Sequence, residues 1–533
     1  MFRYDFTYST HIAVDASLFS DCSRRVPSRP RPLHPDVSSA PTRPPAEFGR
    51  PPLHPLETAL LTATITHVCF LPWALGAMHV WSQLTSLVLA FLGFILAMLP
   101  RTQKRASGNE DKSPVRSWPL SPVIHSSVFW AGVIFLLYAA VQGLNPAWHY
   151  FSNAESWWLE PATPVSWLPS SVEAPFAKSN PWRALTIFVS FTLLLSSIWA
   201  GFSRRKSYHL LWVAVMANAT VLALLGIAQR LLGADRIFGL YKPSNRAFVS
   251  SFIYPNHAGC YFNLMLGLAA GMAWWHHQRS NRCIEGPGAA AAATSVAICC
   301  SSLVLISCSR VSIVLMMVFT VIVGGALLFR LVRRNGPIGR RQESIPLIMT
   351  LTAFLCVGFV VLSSDKLRER FAIVASSPVA ADQDRSFARQ AARDMFADHW
   401  MFGWGAGSFR YGFTKYVKSY PAIYYSDNGG RRTWEHAHSD PLEFLCEFGV
   451  LGLLPLVYIL IQVAWKIARS RVWRNPLTIP IVCAVALVIF HSWFDFVFQC
   501  PAVLLTWGVM LVGAIRWAKL DRPKESRTTV NAG

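Results

Sequence analysis

Charge is what this chain has least of. Asp, Glu, Lys and Arg make up 14% of its 533 residues, while 53% are hydrophobic; a soluble domain carries about a quarter charged residues. Composition therefore excludes an ordinary soluble fold, and apolar runs long enough to cross a bilayer recur from Ala59 to Trp517. Acidic residues are scarcer still, 28 against 49 Lys and Arg, for a net charge of +21. No soluble segment combines a basic stripe with interleaved aromatics, so the excess does not point to nucleic acid. Lys and Arg gather instead in short loops, as the positive-inside rule requires, and the partner they imply is the lipid bilayer. Cysteine pairs at metal or redox spacing are also missing. Of eleven cysteines, only Cys22 and Cys283 lie in clearly polar segments. This excludes a disulfide framework and a zinc site and leaves the rest as small packing residues. Residues 1–57 hold no apolar stretch of the length a secretory signal needs. Ten prolines and several arginines over 27–55 read as a disordered cytoplasmic tail.

What is there reads as an all-α polytopic membrane protein. Apolar runs predict about twelve transmembrane helices, at roughly 59–77, 80–99, 123–142, 182–201, 208–229, 258–275, 289–308, 311–329, 345–363, 442–465, 476–494 and 500–518. Continuous helix from Ala289 to Phe329 would be about 60 Å long, twice the hydrocarbon thickness, so a tight hairpin at Ser309 and Arg310 is expected. Every second span ends in a basic cluster, from Arg101, Lys104 and Arg105 to Arg516, Lys519 and Arg522. Both termini are then cytoplasmic, with a transmembrane domain over 58–519 and a short tail over 520–533. The opposite face carries two loops, 143–181, rich in Trp and Pro, and 364–441. The second is large, expected to be partly helical over 385–399, and has a Gly-rich turn at 400–409.

That loop ends in TWEHAHSDPLEFLCEFG, where His436 and His438 precede an apolar helix. Ser439 and Asp440 suit an N-cap, Pro441 the first helical position, and Glu443 a capping box. An imidazole here can serve as a general base or simply hydrogen-bond the backbone where the helix starts. The two-residue spacing is not that of helical zinc ligands. Glu447 lies a turn beyond Glu443, where an ionised carboxylate needs a partner, either an arginine or His438. Arg310, between two apolar runs in SCSRVS, has the planar fork that suits diphosphate oxygens. Arg246 lies just before SFIYPNHAG. Arg385 and Arg389 share a helix face and could equally meet headgroups, carboxylates or substrate. Asp495, in HSWFDFVFQCPAV, either balances an arginine or is a polar turn residue.

Taken in order, five segments resemble the O-antigen ligase and O-antigen polymerase family of bacterial membrane glycosyltransferases. They are Phe252–Ala258, Ser307–Arg310, Gly403–Gly407, His436–Ser439 with Glu447–Gly449, and His491–Ala502. The resemblance implies transfer of a glycan from an undecaprenyl-diphosphate carrier to a glycan or lipid acceptor, outside the bacterial cytoplasmic membrane. It implies no metal and no cofactor. Carried over residue by residue, His438 is the base and Arg310 a diphosphate ligand. Arg246 is a second such ligand, and His436, Glu447 and Asp495 are supporting residues. Ser439 stands where many members have Asn. A transporter of an anion or glycan is the competing reading, set against the absence of an internal repeat and the clustering of ionisable residues on one face; a non-catalytic envelope scaffold is the third.

Overall fold

A computed structural model describes residues 52–103, 115–117, 121–243, 248–281, 284–333, 383–424 and 434–520, with the isolated residues 348 and 352. Long helices dominate, as apolar runs of this length require where backbone groups cannot reach water. In chain order they are α1 (Pro55–Trp73), α2 (Val80–Met98), α3 (Ser127–Leu144), α4 (Pro181–Gly201), α5 (Arg205–Leu231), α6 (Pro255–Ser280), α7 (Gly288–Ile306), α8 (Arg310–Arg333), α9 (Gln383–Asp398), α10 (Asp440–Arg469), α11 (Thr478–His491) and α12 (Pro501–Lys519).

Among the described residues, eight of these are long and apolar enough to cross a membrane: α2, α3, α4, α5, α7, α8, α10 and α12. The protein is thus a helical polytopic membrane protein, and eight of the roughly twelve expected spans meet this criterion among the described residues. Two of the expected spans coincide with α1 and α6, which are helical but more polar. A third is α11, whose 14 residues fall short of the roughly 20 needed. The expected span at 345–363 lies outside the described residues except for 348 and 352.

The polarity of α6 has a structural reason. It packs against α5, α7, α8, α11 and α12, and it buries residues along its whole length, including His257, His276 and Gln278. Polar groups there face protein and not lipid. The chain does reverse between α7 and α8, over Ser307–Ser309, with Cys308 at φ 50°. The two helices then diverge: α7 lies on α5 and α6, whereas α8 lies on α11 and α6.

The all-α expectation misses five short strands. β1 (Arg101–Gln103) pairs with β2 (Val115–Ser117). In the expected 143–181 loop, β3 (Pro146–Ser152) lies between antiparallel β4 (Trp157–Pro161) and parallel β5 (Ser171–Glu173). The Asn153 carboxamide closes the β3–β4 turn by accepting from the amides of Glu155 and Ser156. Cross-strand aromatic pairs, Phe151 on Trp158 and Tyr150 on Trp157, then hold the ribbon.

α10 contains the feature that positions the site. Gly449 breaks it with φ 62° and ψ −174°. The 20 residues from 450 to 469 would be about 30 Å of helix, enough to span alone. The preceding stretch, 440–448, packs instead against the turn at 400–405. Val450 N–H donates to Trp400 O at 2.9 Å, Trp404 N–H to Cys446 O at 2.9 Å, and Gly405 N–H to Glu447 O at 2.9 Å. A Cβ at Gly449 would lie 2.4 Å from Met401 O. Backbone meets backbone here, with no room for a side chain. From α3, Tyr138 Oη donates to Phe402 O at 2.8 Å and to Phe448 O at 2.9 Å, and Gln142 Nε2 donates to Glu447 O at 3.0 Å.

Candidate functional site

Three segments converge at the start of α10: residues 434–439, the turn 492–496 that follows α11, and Tyr254–His257 at the start of α6. Asp440 N–H donates to Ser492 O at 2.9 Å, and the Asp440 carboxylate accepts from Phe498 N–H at 2.8 Å. The expected capping box does not form. Ser439 is the N-cap, but its buried hydroxyl makes no hydrogen bond among the described residues. Glu443 reaches past it to accept from Ala437 N–H at 2.8 Å. The local chain is therefore fixed by tertiary bonds, and these hold His438 in the left-handed region at φ 53°.

In that conformation His438 Nδ1 lies 3.2 Å from Asp495 Oδ1. Asp495 is fully buried and also accepts from Phe496 N–H at 2.9 Å. Its other oxygen, Oδ2, accepts from Asn256 Nδ2 and, at 3.3 Å, from the Tyr254 hydroxyl. The Tyr254 oxygen in turn accepts from Asn256 Nδ2 at 3.0 Å and from Arg385 Nη2, on α9, at 3.4 Å. Burial pushes the Asp495 carboxyl up, but the hydrogen bond and charge of His438, with Arg385 beyond, hold it well below the usual carboxylate range. Burial and the Asp495 charge both raise the Tyr254 phenol, which stays protonated. An ionised Asp495 can only accept, so His438 Nδ1 donates to it, and in the uncharged imidazole the lone pair is then on Nε2.

A second pair braces the first. His436 Nδ1 lies 2.7 Å from Glu443 Oε1, which also accepts from Gln499 Nε2 at 3.1 Å. Burial lowers the His436 imidazole, but the adjacent Glu443 carboxylate outweighs it and the net shift is upward. Phe496 packs between the two histidines, stacked on His436 at 4.4 Å and edge-on to His438 at 5.0 Å. It also stacks on Tyr254 at 5.0 Å.

The sequence candidates divide. His438, His436 and Asp495 come together. Asp495 is not merely a turn residue: it is the partner of His438, and Arg385 is one step further along. Among the described residues, Glu447 meets neither an arginine nor His438. Its Oε1 accepts from Phe409 N–H at 3.1 Å and so holds the Gly-rich turn. Arg310 opens α8, partly exposed, with no hydrogen bond or ion pair among the described residues. Its neighbours Ser307 and Ser312 pack on Gly259, one turn into α6 from Asn256 on the same helix face, so Arg310 lies at the same end of the bundle as the dyad. Arg246 lies outside the described residues. Sequence reasoning missed Phe496 as the centre of the site and Asn256 as a ligand of Asp495. The only signal was their place in the Tyr254–Pro255–Asn256 and Asp495–Phe496 segments.

The arrangement offers an imidazole whose uncharged form has its lone pair on Nε2, a buried carboxylate behind it, and the Arg385 guanidinium linked to that carboxylate through Tyr254. It can take a proton from a hydroxyl beside an anionic group. Residues 295–457 match the family model of the O-antigen ligases. The match takes in Arg310, His436, His438, Glu443 and Glu447; Asn256 and Asp495 lie outside it. No curated protein matches the chain.

Proposed function

We propose, from the match of residues 295–457 to the O-antigen ligase family model, that this chain transfers a glycan from an undecaprenyl-diphosphate carrier to a hydroxyl of a glycan or lipid acceptor. The reaction takes place on the outer face of the bacterial cytoplasmic membrane. The observation that carries this reading is the His438–Asp495 pair, in which Nδ1 and not Nε2 meets the carboxylate. The acceptor oxygen attacks the anomeric carbon, and its proton passes to His438 Nε2. The bond from that carbon to the diphosphate oxygen breaks, and the diphosphate leaves on the lipid with the bonding electrons. Attack opposite the leaving group inverts the anomeric centre. Asp495 fixes the tautomer and balances the imidazolium that forms.

The departing diphosphate gains negative charge, which fixed cations stabilise without a metal. Arg310 and Arg246 are the proposed ligands. Arg385 is a further candidate because of its link through Tyr254 to Asp495. The loop-charge pattern supports an outer site and cytoplasmic termini. The test is the lipid-linked donor pool. With His438→Ala at unchanged protein level, undecaprenyl-linked glycan accumulates and the acceptor product disappears. Unchanged product and an unchanged donor pool overturn the assignment.

A further inference from the structure

Away from the histidine site, a groove of about 480 Å³ opens between residues 147–170 and the turn 398–403. Trp148, Pro164 and Ser166 form one wall, and Asp398, His399 and Trp400 the other. Its groups are rigidly set. Lys415 Nζ sits 3.3 Å from the ring centroid of Trp148 and braces that indole. Trp400 is 53% exposed while its carbonyl is tied to Val450. The His399 ring packs edge-on against Trp404 at 4.3 Å. Burial lowers its pKa, so at neutral pH the ring is uncharged and offers one donor and one acceptor. Asp398 takes the Tyr416 hydroxyl on Oδ2, which leaves Oδ1 without a partner among the described residues.

Aromatic faces beside a carboxylate, an imidazole and a serine hydroxyl suit a sugar. Its C–H face lies on an indole, and its hydroxyls need groups that donate and accept. A phosphate headgroup is disfavoured, because the wall presents the Asp398 carboxylate and the nearby cation is committed to Trp148. The groove is also joined to the reacting centre. Its 398–403 wall is bonded through Trp400 O and Met401 O to Val450 and Leu451, and the adjoining Trp404 N–H is bonded to Cys446 O, on the helix that starts two residues after His438; Cys446 lies about 9 Å along it from Asp440.

We infer that this groove binds the glycan chain of the acceptor, beyond the sugar whose hydroxyl reacts. The inference rests on the glycan-transfer reading above. It is tested by saturation-transfer NMR on the full chain in nanodiscs. The probe is the oligosaccharide fraction released by mild acid from the host cell's own surface polysaccharide, and dihexanoyl phosphatidylglycerol is the comparison ligand. Wild type and His438→Ala pass saturation to sugar ring protons. Trp400→Ala, and independently Ser166→Trp, which fills the groove from an exposed position, lower that signal at least about fivefold. Equal sugar signal in both groove variants, no sugar signal in wild type, or transfer to the phospholipid headgroup alone overturns the inference. The reaction fails separately, if His438→Ala keeps transferring glycan; that result leaves the sugar-binding measurement standing.

Discussion

At the scale of single residues, each carboxylate is defined by what it holds. Asp495 holds a histidine. Asp495→Asn keeps the volume but lets the side-chain amide donate to Nδ1, which moves the imidazole proton to Nε2. Turnover is expected to fall at least roughly tenfold with the donor KM unchanged, measured on reconstituted protein. Glu447 holds a backbone amide. An amide oxygen can replace its carboxylate there, so Glu447→Gln is expected to keep most activity, while Glu447→Ala loses thermal stability together with activity. Equal loss of turnover in both, at unchanged stability, would show that Glu447 acts in the chemistry. The raised His436 and lowered Asp495 also set a pH window. A raised imidazole stabilises the fold fully below its unfolded value near 6.5, and that contribution is lost as pH rises. A lowered carboxyl stabilises above its unfolded value near 3.8 and loses this as pH falls. The thermal midpoint of the protein in detergent is therefore expected to decline above about pH 6.5, and this decline should vanish in Glu443→Gln. The two histidines were legible in the sequence because they interrupt the approach to an apolar helix. The Asp495 partnership was not, since 57 residues separate it from His438 and only tertiary packing joins them.

At the scale of elements, the break at Gly449 decides where the site lies. A continuous apolar run reads as one helix from about 442 to 465, and nothing in its periodicity marks a break. The positive φ of Gly449 and the close approach of Met401 O mark it only in three dimensions. This is why Glu447 reads as buried in a span from sequence, yet stands before the kink against the 400–409 turn. Gly449→Ala is expected to destabilise the protein by about 1–3 kcal/mol and to reduce activity with it, because the same segment carries His438. A thermal midpoint equal to wild type would show that the break does not depend on glycine. The strands of 146–173 were likewise illegible: a Trp- and Pro-rich stretch reads as an interfacial loop, and its pairing depends on the Asn153 turn and cross-strand aromatics.

At the scale of the whole molecule, the helical membrane character was plain from apolar runs and loop charge, because the bilayer imposes both. The span count was less legible, because a helix sheltered by its neighbours, such as α6, can carry histidines and amides that a lipid-facing helix cannot. Sidedness is open to direct measurement. A cysteine at exposed Ser166 is expected to react with a membrane-impermeant maleimide on intact cells. One at Gly286, where an added Cβ meets nothing within 4 Å, is expected to react only after permeabilisation. The reverse pattern would place the histidines on the cytoplasmic face.

In the proposed reaction His438 accepts the proton of the attacking hydroxyl. The most direct measurement is the single-turnover rate of glycan transfer from undecaprenyl-diphosphate donor in proteoliposomes, wild type against His438→Ala, with donor binding measured in parallel. A rate lower by about 10²–10⁴, with donor binding retained, is the predicted result. A rate within a few-fold of wild type would contradict the account.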